Sequence, residues 1–128
     1  MAAGRCNTPR PARPSVSRSR YIQGVSFPLA ESAIELHAAH LMGLNAAGLL
    51  DQGAPAVKEL SMTKAYSTEI GVRAVDRAMQ AHGAMGFTNE KHLVEAWHSL
   101  RAVNVADGTN EILRRTIAQR LFKGDVEV

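Results

Sequence analysis

Phe27-Pro28-Leu29-Ala30-Glu31-Ser32-Ala33-Ile34-Glu35-Leu36-His37-Ala38-Ala39-His40-Leu41 places its apolar residues at helical rather than strand intervals. Ala30, Ile34, Ala38 and Leu41 recur at spacings of four and three, which lines up one face of a helix. Pro28 suits a first helical turn, where its missing N–H is no loss. The spacing predicts a helix over residues 29–50. This helix is apolar around much of its circumference, the pattern expected of a central position. Asp51-Gln52-Gly53-Ala54-Pro55 then reads as a turn.

Three further helices follow. One is predicted over 56–82, with Ala65, Thr68, Val72, Val75 and Met79 on one face. Glu69 and Arg73 beside that face are spaced for a favourable i,i+4 pair. Gly83 is its expected stop, because a left-handed cap costs glycine little. The next is predicted over 91–105, with Leu93, Trp97 and Leu100 on a stripe and Trp97 in the core. Asp107-Gly108-Thr109-Asn110 interrupts the pattern. A last helix carries Ile112, Leu113, Ile117 and Leu121, with Arg114, Arg115 and Arg120 on other faces. No alternating strand pattern competes. The fold class expected is all-α, an antiparallel bundle of the four-helix type with short connections. The bundle domain is expected over 27–124, flanked by tails over 1–26 and 125–128.

The first tail decides how the charge is read. The chain carries 15 Lys and Arg against 12 Asp and Glu, a net charge of +3. Arg5, Arg10, Arg13, Arg18 and Arg20 all lie in the first tail, among Pro9, Pro11, Pro14 and three serines, with no acid between them. Setting those five aside leaves 10 basic residues against 12 acidic ones, so the body is nearly neutral. A nucleic-acid protein would carry its basic residues on a folded face. Proline excludes helix interiors, so the tail reads as loosely attached. Its composition also suits an organellar transit peptide, although a truncated helix accounts for it better. Cys6 is the one cysteine, which excludes an intramolecular disulfide and points to the cytoplasm or the mitochondrial matrix. The longest run without Asp, Glu, Lys or Arg, residues 36–50, is shorter than the roughly 20 residues of a membrane span. His37 and His40 share a helix face, but no Asp, Glu or Cys in register completes a metal site; half-buried histidines are the simpler expectation.

Two segments can carry chemistry. Gln80-Ala81-His82-Gly83-Ala84-Met85-Gly86-Phe87 has glycines at a helix end, where backbone can approach a ligand closely. A helix cap followed by a turn is the simpler explanation on spacing alone. In Val105-Ala106-Asp107-Gly108-Thr109-Asn110-Glu111-Ile112, either Asp107 or Thr109 can be the N-cap of the last helix. Alternatively, a carboxylate on a glycine-relieved turn projects into a cleft as a base, beside helix-start amides able to hold a phosphate or ribose.

Taken in order and at this separation, the two segments resemble the C-terminal domain of the acyl-CoA dehydrogenases. In that family a Gln-x-x-Gly-Gly-x-Gly segment closes one helix, and Glu-Gly-Thr-x-Glu/Gln-Ile opens the last. This chain reads Gln80, Gly83-Ala84 and Gly86, then Asp107-Gly108-Thr109-Asn110-Glu111-Ile112 with Arg114 and Ile117-Ala118. The similarity spans about residues 27–124. It implies FAD as cofactor and an acyl-CoA thioester as substrate, oxidised to the 2,3-enoyl thioester. A carboxylate takes the α-proton while hydride leaves the β-carbon, and Asp107 matches the base. Thr109, Asn110 and Glu111 match flavin-contacting positions. Gln80, Ala81, His82, Gly83 and Ala84 match a segment reaching the FAD of a neighbouring subunit. Ala106 and Gly108 flank the base on the substrate side.

The chain departs from the family pattern at several points. Asp stands where Glu is commoner, although nitroalkane oxidases also use Asp. Gly24-Val25-Ser26-Phe27-Pro28 lacks the Arg-Phe-Gly element that helps hold FAD, and His98-Ser99 replaces an Arg-Asp pair. The family's N-terminal helical and middle β domains have no counterpart here. The resemblance therefore implies a homo-oligomer, or a complex with flavin-binding domains, and little activity from the chain alone. The alternative is a non-catalytic bundle that serves as an oligomerisation module.

Overall fold

The computed structural model describes residues 21–126. Within them lie four α-helices and no strand: α1 (Gln23–Asp51), α2 (Val57–His82), α3 (Leu93–Val103) and α4 (Asn110–Phe122). Two short 3-10 turns, Gly83–Phe87 and Asn89–Lys91, join α2 to α3. The all-α class is as expected. Much of the first tail, including Cys6 and the five arginines, lies outside the described residues.

α1 begins inside the span expected to be tail, and Pro28 sits within it rather than at its start. A proline there removes the N–H that would bond Gly24 and crowds that carbonyl. Residue 24 is a glycine with open space around it. The buried positions of α1 are Ser32, Ala39 and Ala46. Its two glutamates, Glu31 and Glu35, meet α2, where Arg77 reaches both at 3.3 and 2.9 Å and Arg73 meets Glu35 at 2.8 Å. Arg77 also donates to the buried Ser32 hydroxyl at 2.9 Å. Small residues let the axes approach further along, as at Gly43 against the Thr63 methyl. These contacts run in opposite senses along the two helices, so they are antiparallel.

This pairing overturns two expectations. Of the stripe, Ala30, Ile34 and Leu41 are exposed, Ile34 to 70%, and only Ala38 is half-buried. The central helix is α2, which packs on α1, α3, α4 and the 3-10 turn, whereas α1 rests on α2. Apolar circumference alone did not identify the centre, because α2 satisfies its polar faces with partners from three sides. For the same reason the Glu69–Arg73 pair does not form. Arg73 goes to Glu35 on α1, and Glu69 goes to Arg114 on α4 at 2.5 Å.

The core is built on α2. Ile70 is fully buried, with Ala65, Thr68, Gly71 and Met79. At Gly71 the Leu100 side chain of α3 lies 3.2 Å from where a Cβ would stand. Trp97 is half-buried rather than core, tilted against His98 at 5.6 Å, and α3 has no fully buried residue. α3 is shorter than predicted because His92 takes a left-handed φ of 52° and breaks the register from the Asn89–Lys91 turn. His37 and His40 are exposed rather than half-buried, and no metal-binding group of three or more ligands occurs among the described residues. None of the described helices is long and apolar enough to cross a membrane.

Candidate functional site

The turn between α3 and α4 is bound to a short strip of α2, residues 64–69. The Lys64 ammonium donates to three successive carbonyl oxygens, those of Ala106, Asp107 (3.1 Å) and Gly108 (2.7 Å). One turn of α2 further on, Asn110 is 4% exposed and holds Thr68 at 3.2 Å and Glu69 at 3.2 Å through its amide nitrogen. Glu69 is shared with Arg114. The Asn110 amide also bonds back to the Asn104 carbonyl at 3.2 Å, which closes the turn on itself.

Between these anchors Asp107 and Gly108 adopt left-handed φ values of 51° and 92°. Glycine takes that conformation freely, whereas for Asp107 it costs roughly 1–2 kcal/mol. Asp107 is exposed, and among the described residues no hydrogen bond or ion pair engages its carboxylate. The N-cap of α4 is Thr109, whose hydroxyl oxygen accepts from the Ile112 N–H at 3.4 Å. That assignment leaves Asp107 free of capping.

The start of α4 is less open to an anion than its position suggested. The amides of Asn110 and Ile112 are already bonded. Glu111 turns its carboxylate onto its own backbone N–H and the Thr109 hydroxyl, and this holds its pKa below the ordinary 4.5; Arg114 and Arg101 add to the depression. The donors left over lie one step upstream. Among the described residues, no acceptor is bonded to the amides of Asp107, Gly108 and Thr109. Beside them opens a cleft of about 430 Å³ lined by Val72, Arg73, Arg101, Val105, Thr109 and Glu111, among others.

Among the expected contacts, Ala106, Asp107, Gly108 and Glu111 are exposed and Thr109 is half-exposed. The Asn110 side chain is 4% exposed and bonded to Thr68 and Glu69, so it seats the turn while it also borders the cleft. Lys64, Glu69 and the cleft arginines were missed, since nothing local in sequence shows which side chains reach across to a distant turn.

The second segment lies elsewhere. Gln80, Gly83 and Ala84 are exposed, and Ala81 and His82 are half-buried, with the His82 ring bonded to the Ala78 carbonyl at 2.8 Å. Gly83 ends α2 as expected, at φ 59°, but its ψ of −140° lies outside the left-handed helical region. Gly86 is buried, and a Cβ there would stand 2.5 Å from the Met79 carbonyl oxygen. Glu69 and Gln80 are separated by roughly 16 Å along α2, at about 1.5 Å per residue. The two segments therefore do not form one site within a single chain.

Residues 19–122 match the family model described as acyl-CoA dehydrogenase, C-terminal domain. The chain is 35% identical over 101 residues to the probable acyl-CoA dehydrogenase YngJ of Bacillus subtilis, covering 79% of this chain and 27% of that protein. It is 33% identical to the bovine mitochondrial short-chain specific acyl-CoA dehydrogenase, covering 80% of this chain and 25% of that one. Among solved structures, PigA with FAD and proline superposes with a TM-score of 0.78 at 27% identity, over 80% of this chain and 27% of PigA. The chain thus spans about a quarter of the length of these relatives.

Proposed function

Since this chain belongs to the acyl-CoA dehydrogenase family, through that family's C-terminal helical domain, we propose that it supplies the proton-abstracting turn of a flavin-dependent dehydrogenase acting on an acyl-CoA thioester. The observation carrying this reading is Asp107, whose carboxylate is exposed and unengaged on a turn otherwise bound on both sides. A base must reach its proton before its pKa matters, and this one is presented outward.

The unbonded amides of Asp107, Gly108 and Thr109 fit the acceptor edge of a flavin ring. They fit one edge and not a whole FAD, for which one open cleft on a bundle of this size is too little. Bound flavin would supply the two-electron acceptor. The residues of this chain would hold its edge, place Asp107 against the α-carbon and carry the abstracted proton on the Asp107 carboxylate. The segment Gln80 to Ala84 is assigned to a second flavin, that of a neighbouring chain. Function therefore requires flavin-binding domains supplied by further polypeptide. A cytoplasmic or matrix location goes with this reading.

The test joins the chain to the flavin-binding domains of one of its relatives and follows α-proton exchange of an acyl-CoA into deuterated water. Asp107→Asn should lower the exchange rate by at least about 10²-fold, the low end of what general-base catalysis contributes. Unchanged exchange removes Asp107 from the role. The chain alone should not reduce FAD with acyl-CoA.

A second reading, a bundle serving association, is favoured by the outer face of α1. Ile34, Leu41 and Leu44 are 70%, 51% and 56% exposed on α1, whose Glu31 and Glu35 pair with α2. Contiguous exposed apolar surface of this kind marks contact with another protein. The two readings are compatible, since the first also needs a partner.

A further inference from the structure

We propose that Lys64 is the positioning residue of the base turn: its ammonium fixes the left-handed backbone at residues 107–108 and so sets the direction of the Asp107 carboxylate. The proposal rests on the reading of Asp107 given above.

An ammonium has three donors. Here all three are taken by consecutive carbonyls of one turn, Ala106, Asp107 and Gly108. Three carbonyl oxygens gathered at one point repel one another unless a cation sits among them. They also follow directly on the C-terminal end of α3, where the helix dipole is negative and a cation is favoured. The Val105 and Ala106 amides still bond to the Ala102 carbonyl, so the turn leaves the helix just where Lys64 takes hold. Asp107 holds a φ of 51° with no bond from its own side chain to keep it there. Asn110 secures the downstream end, and Lys64 secures the upstream end. Without the ammonium, the upstream half can relax to ordinary backbone angles and swing the carboxylate. Misplacement by about 1 Å can cost on the order of 10²-fold in rate.

An arginine is a poor substitute. Its planar fork matches a carboxylate and does not converge on three oxygens, whereas an ammonium is a compact point charge. This difference separates positioning from mere charge.

The test uses the full chain with Cys6→Ser, so that a single thiol can be introduced at position 64. Backbone angles at Asp107 and Gly108 and exchange of the bonded amides of Val105, Ala106 and Asn110 are read by NMR for the parent, Lys64→Met and Lys64→Cys. Loss of the ammonium should average the two positive φ values and raise exchange at the turn at least tenfold, while protection across α1 stays unchanged. Aminoethylation of Lys64→Cys rebuilds a lysine-like ammonium and should restore the parent values. Unaltered φ and exchange in Lys64→Met, or no restoration on aminoethylation, overturns the proposal. In the assembly with flavin-binding domains, Lys64→Met should lower kcat about 10²-fold with KM unchanged. A rise in KM alone would also overturn it. If the parent assembly exchanges no α-proton, the reading of Asp107 as base fails, whereas the NMR arm still decides whether Lys64 sets the turn.

Discussion

Asn110 and Gly86 show how much a single position can hold. Asn110 is the downstream anchor of the turn over 106–109, and its amide meets Thr68 and Glu69 at once. Asn110→Ala leaves the buried Thr68 hydroxyl without its amide partner, which costs about 1–3 kcal/mol. Thermal melting should register this as a Tm lower by several degrees. Gly86 has no room for a methyl group, since the Met79 backbone occupies the place of its Cβ. Gly86→Ala must displace the end of α2, an overpacking cost of about 1–3 kcal/mol. The same change at Gly83 meets open space but a positive φ, so its cost is one of backbone conformation alone. Urea unfolding of the two variants should rank Gly86→Ala as the more damaging.

Among the elements, α4 and α2 respond to pH in opposite senses. The Glu111 carboxylate is favoured in the folded state by its own N–H and the Thr109 hydroxyl, so its folded pKa is depressed. Its contribution is present above the ordinary 4.5 and is lost as pH falls through the lower folded value. The start of α4 should fray in acid, with the carboxyl resonance of Glu111 titrating below 4.5. Lys58 of α2 is 1% exposed and bridges Glu59 and Asp125 at 3.3 and 3.0 Å. The hydrogen bond to Asp125 leads in raising its pKa, against the opposing effect of burial. That stabilisation is present below 10.5 and fades as pH climbs through the higher folded value. Unfolding midpoints measured on either side of 10.5 should show it, and Lys58→Met should flatten the profile.

At this same scale the sequence was informative about some things and silent about others. Helical periodicity, Gly83 as a stop and the interruption at 107–110 were all legible, because each is a local property of the chain. The placement of α1 was not. Its outward stripe and its inward face both read as helical repeats, and only the arginines of α2 decide that Glu31 and Glu35 turn inward. Asp107 could be singled out from its neighbours, whereas Lys64 could not. A lysine in a helix looks solvated until the turn that it grips is folded against it. For the same reason the bonds of Asn110 to Thr68 and Glu69 across the bundle could not be read in advance.

For the molecule as a whole, α1 exposes Ile34, Leu41 and Leu44 to solvent. Sedimentation should show association that rises with concentration, and Ile34→Glu with Leu41→Glu should abolish it without lowering helix content. A parent chain that sediments as a monomer throughout would remove association as a role.

α2 is also a rigid spacer. It carries the Lys64–Glu69 strip near its middle and the Gln80 segment at its end, too far apart to meet one ligand edge. A protomer damaged at Asp107 still owns an intact Gln80 end, and one damaged at Gln80 still owns an intact Asp107. Mixed assemblies of two such inactive variants should therefore recover part of the activity that neither shows alone, in proportion to how often sound halves meet across the subunit boundary.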